Sequence, residues 1–116
     1  MSETRLDARF DGLPRRELAG DLRLIVPSTR RSRMLGLARL DAFAPDHGLL
    51  LERCRSVHTW TMRFALDLVW LDGDGRPVRL DGAVPARRLR TCLHARAVVE
   101  TPAGSGAAFL KAMSGE

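Results

Sequence analysis

The chain reads as a mainly β protein, a small single-domain β-sandwich or partly open barrel with one or two short helices. Three observations predict this. Short apolar runs rich in Leu, Val and Ile recur along the chain, and several are closed by Gly, Pro or Asp. Two of them flank Asp72-Gly73-Asp74-Gly75, which has the composition of a hairpin turn. With 116 residues there is room for one domain and one core, so the strands must pack on each other and on the small helices.

Taken in order, residues 1–21 form an N-terminal segment in which Leu6, Phe10, Leu13 and Leu18 are spaced by charged residues. It supplies one or two short edge strands ahead of a β-rich unit over residues 22–116. Leu22–Val26 is a clear strand, stopped by Pro27. Ser28 or Thr29 then caps a short helix to about Ala38, with Met34, Leu35 and Leu37 partly inward and Gly36 limiting its length. Pro45-Asp46-His47-Gly48 is a turn, and Leu49–Cys54 the buried strand after it. Val57–Asp72 is taken as extended, because Val57, Thr59 and Thr61 favour strand and Leu66–Leu71 is plainly one. Pro77 opens the return strand and, lacking an N–H, belongs at a sheet edge. Ala95–Glu100 is the next strand, ended by Pro102-Ala103-Gly104. Ser105 starts a short helix, Gly106 to Met113, with Phe109, Leu110 and Met113 on one side.

Composition narrows the classes of function. No run of about 18 apolar residues exists, so no membrane span is expected. The N-terminus, Met1 to Arg9, is charged and has no apolar h-region, which points to a cytoplasmic protein. Cys54 and Cys92 form no C-x-x-C pair and read as reduced thiols. The net charge of +5 raises the question of nucleic acid. Its densest groups, Arg30-Arg31-x-Arg33 and Arg87-Arg88-x-Arg90, are not interleaved with aromatic residues, so base-stacking platforms are lacking. A solvated basic surface is favoured over nucleic-acid binding.

The chemistry concentrates in Val57–Asp72, where His58, Thr59, Met62, Arg63 and Asp67 interrupt an apolar run holding both tryptophans, Trp60 and Trp70. Cys54, His58 and Met62 would make a soft metal face on a helix. Along an extended chain they spread over about 26 Å, so no metal is expected. No G-x-S-x-G elbow, phosphate-binding glycine loop or zinc-spaced Cys/His set occurs, and no catalytic residue or cofactor is assigned. Asp67, between Leu66 and Leu68, needs a partner because an unpaired buried charge costs several kcal/mol. Arg63 is about 13 Å away along a strand, so the partner must come from elsewhere. Arg33, beside Gly36-Leu37 where a helix could meet the sheet, is the expected candidate.

These motifs resemble the bacterial and archaeal family known as domain of unknown function 192. The similarity lies in Arg33-Met34-Leu35-Gly36-Leu37, Gly48-Leu49-Leu50-Leu51, and the signature Val57-His58-Thr59-x-x-Met62-Arg63-x-x-x-Asp67. It continues through Asp72, Pro85 and Val98-Val99-Glu100-Thr101-Pro102-Ala103-Gly104. Two departures are Ala38, where methionine is common, and Val57–Met62, where much of the family has Phe-Trp-Met-x-Asn-Thr. Met113–Glu116 resembles the start of a last family turn, so a shortened sheet edge is expected. The resemblance implies a small β-sandwich or barrel with no agreed activity or cofactor. It weights Arg33, Gly36, His58, Thr59, Met62, Asp67 and Glu100 as a shared constellation; Glu100 itself is expected to pair with a neighbouring arginine.

The leading functional expectation is a non-enzymatic module that binds a small ligand or a protein partner near His58, Thr59, Met62 and Asp67. The alternative is a hydrolase or transferase using His58 with Asp67 or Glu100. Against it, His58 and Asp67 fall on opposite faces of an unbroken strand. A weaker alternative is polyanion binding through the arginine clusters.

Overall fold

The computed structural model describes Asp7–Gly115. Its strands are β1 (Arg15–Leu18), β2 (Leu22–Ile25), β3 (His47–Glu52), β4 (Ser56–His58), β5 (Leu66–Leu71), β6 (Pro77–Val84), β7 (Leu89–Thr91) and β8 (Ala97–Pro102). Two short helices, α1 (Arg30–Leu35) and α2 (Gly106–Met113), complete it, with a 3-10 turn at Ala8–Phe10. Six strands form one sheet in the order β1-β2-β3-β8-β5-β6, and β4 pairs with β7 in a separate ribbon. Only β2 and β3 run parallel; all other pairs are antiparallel. The expected mainly β domain with two small helices is therefore what forms, and the large sheet stays open rather than closing into a barrel.

Strand alternation sends the apolar residues of the central strands to two faces. Leu49, Leu51, Leu66, Leu68, Trp70 and Val98 face one way, where Val57 of β4, Cys92 and the Leu37–Phe43 segment cover them. Leu24, Leu50, Val69, Leu71 and Val99 face the other way, where Phe109 of α2 covers them. Because β3, β5 and β8 are covered on both faces, they read in sequence as near-continuous apolar runs.

Local chemistry accounts for the element ends. Thr29 and Ser32 form a reciprocal capping box that starts α1. The helix stops at Leu35, short of the expected Ala38, because Gly36 takes φ 46° and turns the chain. The hairpin turn is held by Asp72, which accepts the N–H groups of Asp74 and Arg76. Pro77 lies on β6, an edge strand, as its missing N–H requires. Of the N-terminal expectations, β1 is the one edge strand among the described residues, and Leu6 lies outside them.

One expectation needs correcting. Val57–Asp72 is not a single strand but two, β4 and β5, in different sheets. The break comes at Thr59, whose carbonyl accepts N–H groups from Met62 at 3.2 Å and Arg87 at 3.1 Å. Its side chain, fully buried, donates to the Pro85 carbonyl at 2.7 Å and accepts the Arg88 N–H at 2.9 Å. Thr59 thus pins β4 to the turn before β7, and the chain leaves β4 through Trp60, which is exposed. Trp70 is buried, with its indole N–H on Asp81 and the Arg79 guanidinium over its ring.

Gly48 leaves room on β3 for the Phe109 ring of α2. A Cβ there would lie 2.7 Å from Val99 Cγ1 and 3.1 Å from the Phe109 ring. Gly48→Ala should therefore overpack the α2 face and destabilise the fold by about 1–3 kcal/mol, measured by urea unfolding. An unchanged midpoint would mean that Phe109 is not seated against this strand.

Candidate functional site

The polar residues of the signature divide between the two faces of the sheet. Asp67 on β5 points toward α2, opposite a bulge in β6: Leu66 aligns with Val84 and Leu68 with Asp81, so Gly82 and Ala83 together oppose Asp67. The carboxylate fills that irregularity. Oδ1 accepts the Ala83 N–H at 2.8 Å, and Oδ2 accepts those of Gly104 at 2.9 Å and Gly106 at 2.8 Å. Gly106 is the first residue of α2, so the charge also sits at the positive end of a helix. A Cβ on Gly106 would fall 2.7 Å from Asp67 Cβ, which explains a glycine there. Backbone dipoles, not an arginine, compensate this buried charge.

The expected Arg33–Asp67 pair is accordingly absent. Arg33 lies across the sheet, donating Nη2 to the Glu52 carbonyl at 2.6 Å. Arg63 is exposed and pairs with Asp41 at 2.9 Å. With Asp67 under α2 and Thr59 used up in its turn, neither takes part in a site with His58, and the His58–Asp67 arrangement falls away.

The other face holds a cleft of about 290 Å³ between α1, the end of β3 and β4. Arg30, Arg33, Met34, Leu35 and Gly36 form one wall, Cys54, Val57, His58 and Met62 the other, and Leu51 and Glu100 the floor. The break after His58 makes this possible. Cys54, His58 and Met62, which an extended chain would have strung out, all line one cavity. Among the described residues no group of three His, Cys, Asp or Glu side chains is placed to hold a metal ion.

Glu100 is the unusual member. It stands on β8 between Leu49 of β3 and Leu68 of β5, the centre of the sheet, and is only 3% exposed. The expected arginine partner is missing: no ion pair among the described residues involves its carboxyl, and burial alone accounts for its shifted titration. Since no fully enclosed side-chain polar atom among the described residues lacks a partner, its oxygens reach the cleft. What exposure it keeps is to the cleft, where Oε1 approaches Gly36 closely enough to be 3.6 Å from a Cβ placed there. Burial pushes its carboxyl up from the ordinary 4.5 to about 7. Burial likewise raises the Cys54 thiol, which donates to the Ser56 carbonyl at 3.2 Å. A thiol held protonated is a poorer nucleophile at neutral pH.

The sequence profile of the family described as DUF192, an uncharacterized ACR, matches residues 15–110. The chain belongs to the DUF192 family. No curated protein matches it. Two solved structures share its fold. A Sinorhizobium meliloti 1021 protein, described as a "putative transcription regulator", is 22% identical, with a TM-score of 0.63 and 82% of each chain covered. A protein of unknown function from Novosphingobium aromaticivorans DSM 12444 is 13% identical, with a TM-score of 0.65, covering 93% of this chain and 94% of that one. At such identities the likeness speaks for the fold alone.

Within this DUF192 chain the cleft brings together Arg33, Gly36, His58, Met62 and Glu100, and leaves out Thr59, Arg63 and Asp67. Sequence reasoning missed Arg30, Leu51 and Val57 as lining residues. It noticed the Cys54, His58, Met62 spacing but set it aside on the assumption of an unbroken strand.

The two carboxylates should answer mutation in opposite ways. Asp67→Ala strands three backbone donors and should cost about 3–5 kcal/mol in denaturant unfolding. Its effect should add to that of Arg33→Ala without coupling; a coupling above about 1 kcal/mol would restore the ion pair. For Glu100, the folded chain keeps between pH 4.5 and about 7 a proton that the unfolded chain has lost. Stability from this group is therefore full at low pH, falls as pH rises toward 7, and then levels off. The charged or titratable groups facing it are Arg30, Arg33, Cys54 and His58; the flanking strands present Leu49 and Leu68. Glu100→Gln should abolish that decline and be the more stable protein at pH 8, by about 3 kcal/mol. Thermal melts from pH 4 to 8 would reveal it, and a variant less stable than wild type at pH 8 would contradict it.

Proposed function

We propose that this protein is a small-molecule binding module, and that Glu100 is the group that meets the ligand. One observation carries the reading: a carboxyl at the centre of the sheet, without any described partner, opening into a cleft lined by apolar and basic side chains. Burying such a group costs several kcal/mol unless something bonds to it. A ligand that donates to it would supply the missing bonds, which turns a destabilising residue into a recognition element. The rest of the cleft fits binding better than turnover. The cysteine is held protonated, no carboxylate among the described residues pairs with His58, and Asp67 is engaged on the opposite face. Gly36 fits the same reading, since a side chain there would begin to cover the Glu100 carboxyl.

A thermal-shift screen of polar metabolites against wild type and Glu100→Gln tests this. A ligand at about 100 times its dissociation constant should add about 2.7 kcal/mol to wild-type stability and little to the variant. Compounds that stabilise both proteins equally, or none that stabilises wild type, would count against the cleft as a binding site.

A further inference from the structure

The cleft carries both signs of charge, held apart. Glu100 lies on the floor and the Arg30 and Arg33 guanidinium groups line the α1 wall, yet neither arginine forms an ion pair with it. Arg33 commits one of its five N–H donors to the Glu52 carbonyl, and Arg30 is exposed and makes no hydrogen bond to a described residue. Between the charges run apolar surfaces from Leu35, Leu51, Val57 and Met62. Resting on the reading of the cleft as a ligand site, we propose that it takes a small amphoteric molecule. Its primary ammonium group sits on Glu100, its carboxylate or phosphate sits on Arg30 and Arg33, and a short apolar body lies between.

Other ligand chemistries leave a group unmet. A neutral apolar molecule would cover Glu100 without bonding to it, stranding a buried carboxyl. A simple anion would satisfy the arginines and bring like charge toward the floor. A simple amine would satisfy the floor and meet two cations on the way in. An ammonium group offers three donors to a carboxylate with no described protein donor, and a carboxylate or phosphate matches the fork of a guanidinium. A cleft of about 290 Å³ suits a molecule of amino-acid size. Because burial holds the Glu100 proton to about pH 7, seating an ammonium group at pH 6 must expel that proton. Cys54 and His58 are the other titratable groups facing the cleft, so a His58→Gln control assigns the proton to its source.

Isothermal titration with 5-aminopentanoate, 6-aminohexanoate and 3-aminopropyl phosphate provides the test, alongside pentanoate and pentylamine, which each lack one of the charged ends of 5-aminopentanoate. At least one amphoteric probe should bind, and removing either charged end should weaken it by about tenfold or more. Glu100→Gln should lose the ammonium contribution, and Arg30→Gln, at an exposed site that folding does not need, should lose the anion contribution. Titrations of 5-aminopentanoate, which has no group of its own ionising near pH 6, in buffers of different ionisation enthalpy at that pH should register about one proton released, and the release should persist in His58→Gln. The inference is overturned if a singly charged analogue binds as tightly as its amphoteric parent, or if none of the probes binds. If a different compound from the metabolite screen still depends on Glu100, only the amphoteric class is wrong. If no compound depends on Glu100, the binding reading fails with it.

Discussion

Two stretches of backbone in this protein bring three N–H groups to the same point, and the Asp67 carboxylate is the acceptor they share. The β6 bulge leaves the Ala83 N–H out of the ladder, with Ala83 itself at φ 50°. The turn from β8 into α2 leaves the N–H groups of Gly104 and Gly106 facing inward. Each bond to a charged acceptor contributes about 1.5–3 kcal/mol, and each donor stranded in the interior would cost a similar amount. Through one side chain, the edge strand, the central sheet and the covering helix are therefore fixed relative to one another. The seat of Phe109 over Gly48, and the core beneath α2, follow from that attachment.

The same strand pairing that buries Asp67 under α2 sends Glu100 to the opposite face. On β5 and β8, Asp67 is opposite Thr101 while Leu68 is opposite Glu100, one residue out of step. Side chains alternate along a strand, so a one-residue offset is a change of face. One buried carboxylate is met by three donors; the other, in an equally central position, is met by none among the described residues. The contrast separates a residue that holds the fold together from one that burdens it. The cleft exists above Glu100 because Thr59 bends the chain out of β4, and because Gly36 leaves the carboxyl uncovered.

Much of the architecture was legible in the residues themselves. The Asp72–Gly75 hairpin, the edge placement of Pro77, the cap at Thr29 and the helix over Gly106–Met113 all rest on local chemistry, which is readable one segment at a time. The site was harder because it depends on contacts between distant segments. Asp67 was correctly singled out as a buried carboxylate needing partners, but backbone N–H groups carry no side-chain signature, so an arginine was sought in their place. Glu100 followed the same logic and found the opposite outcome, since nothing in Val99-Glu100-Thr101 tells whether a donor waits across the sheet. Thr59 has good strand propensity, and only its tertiary bonds to Pro85 and Arg88 turn it into a bend.

The central claim is that Glu100 is a buried carboxyl left open to a cleft, without a partner among the described residues. Its titration, followed through the side-chain carboxyl carbon by NMR with Glu100→Gln to assign the signal, tests that claim directly. A midpoint near 7 that falls when a ligand occupies the cleft is the predicted result. A midpoint at or below the ordinary 4.5 would mean that Glu100 is already charged and paired within the protein, and the cleft would lose its recognition group.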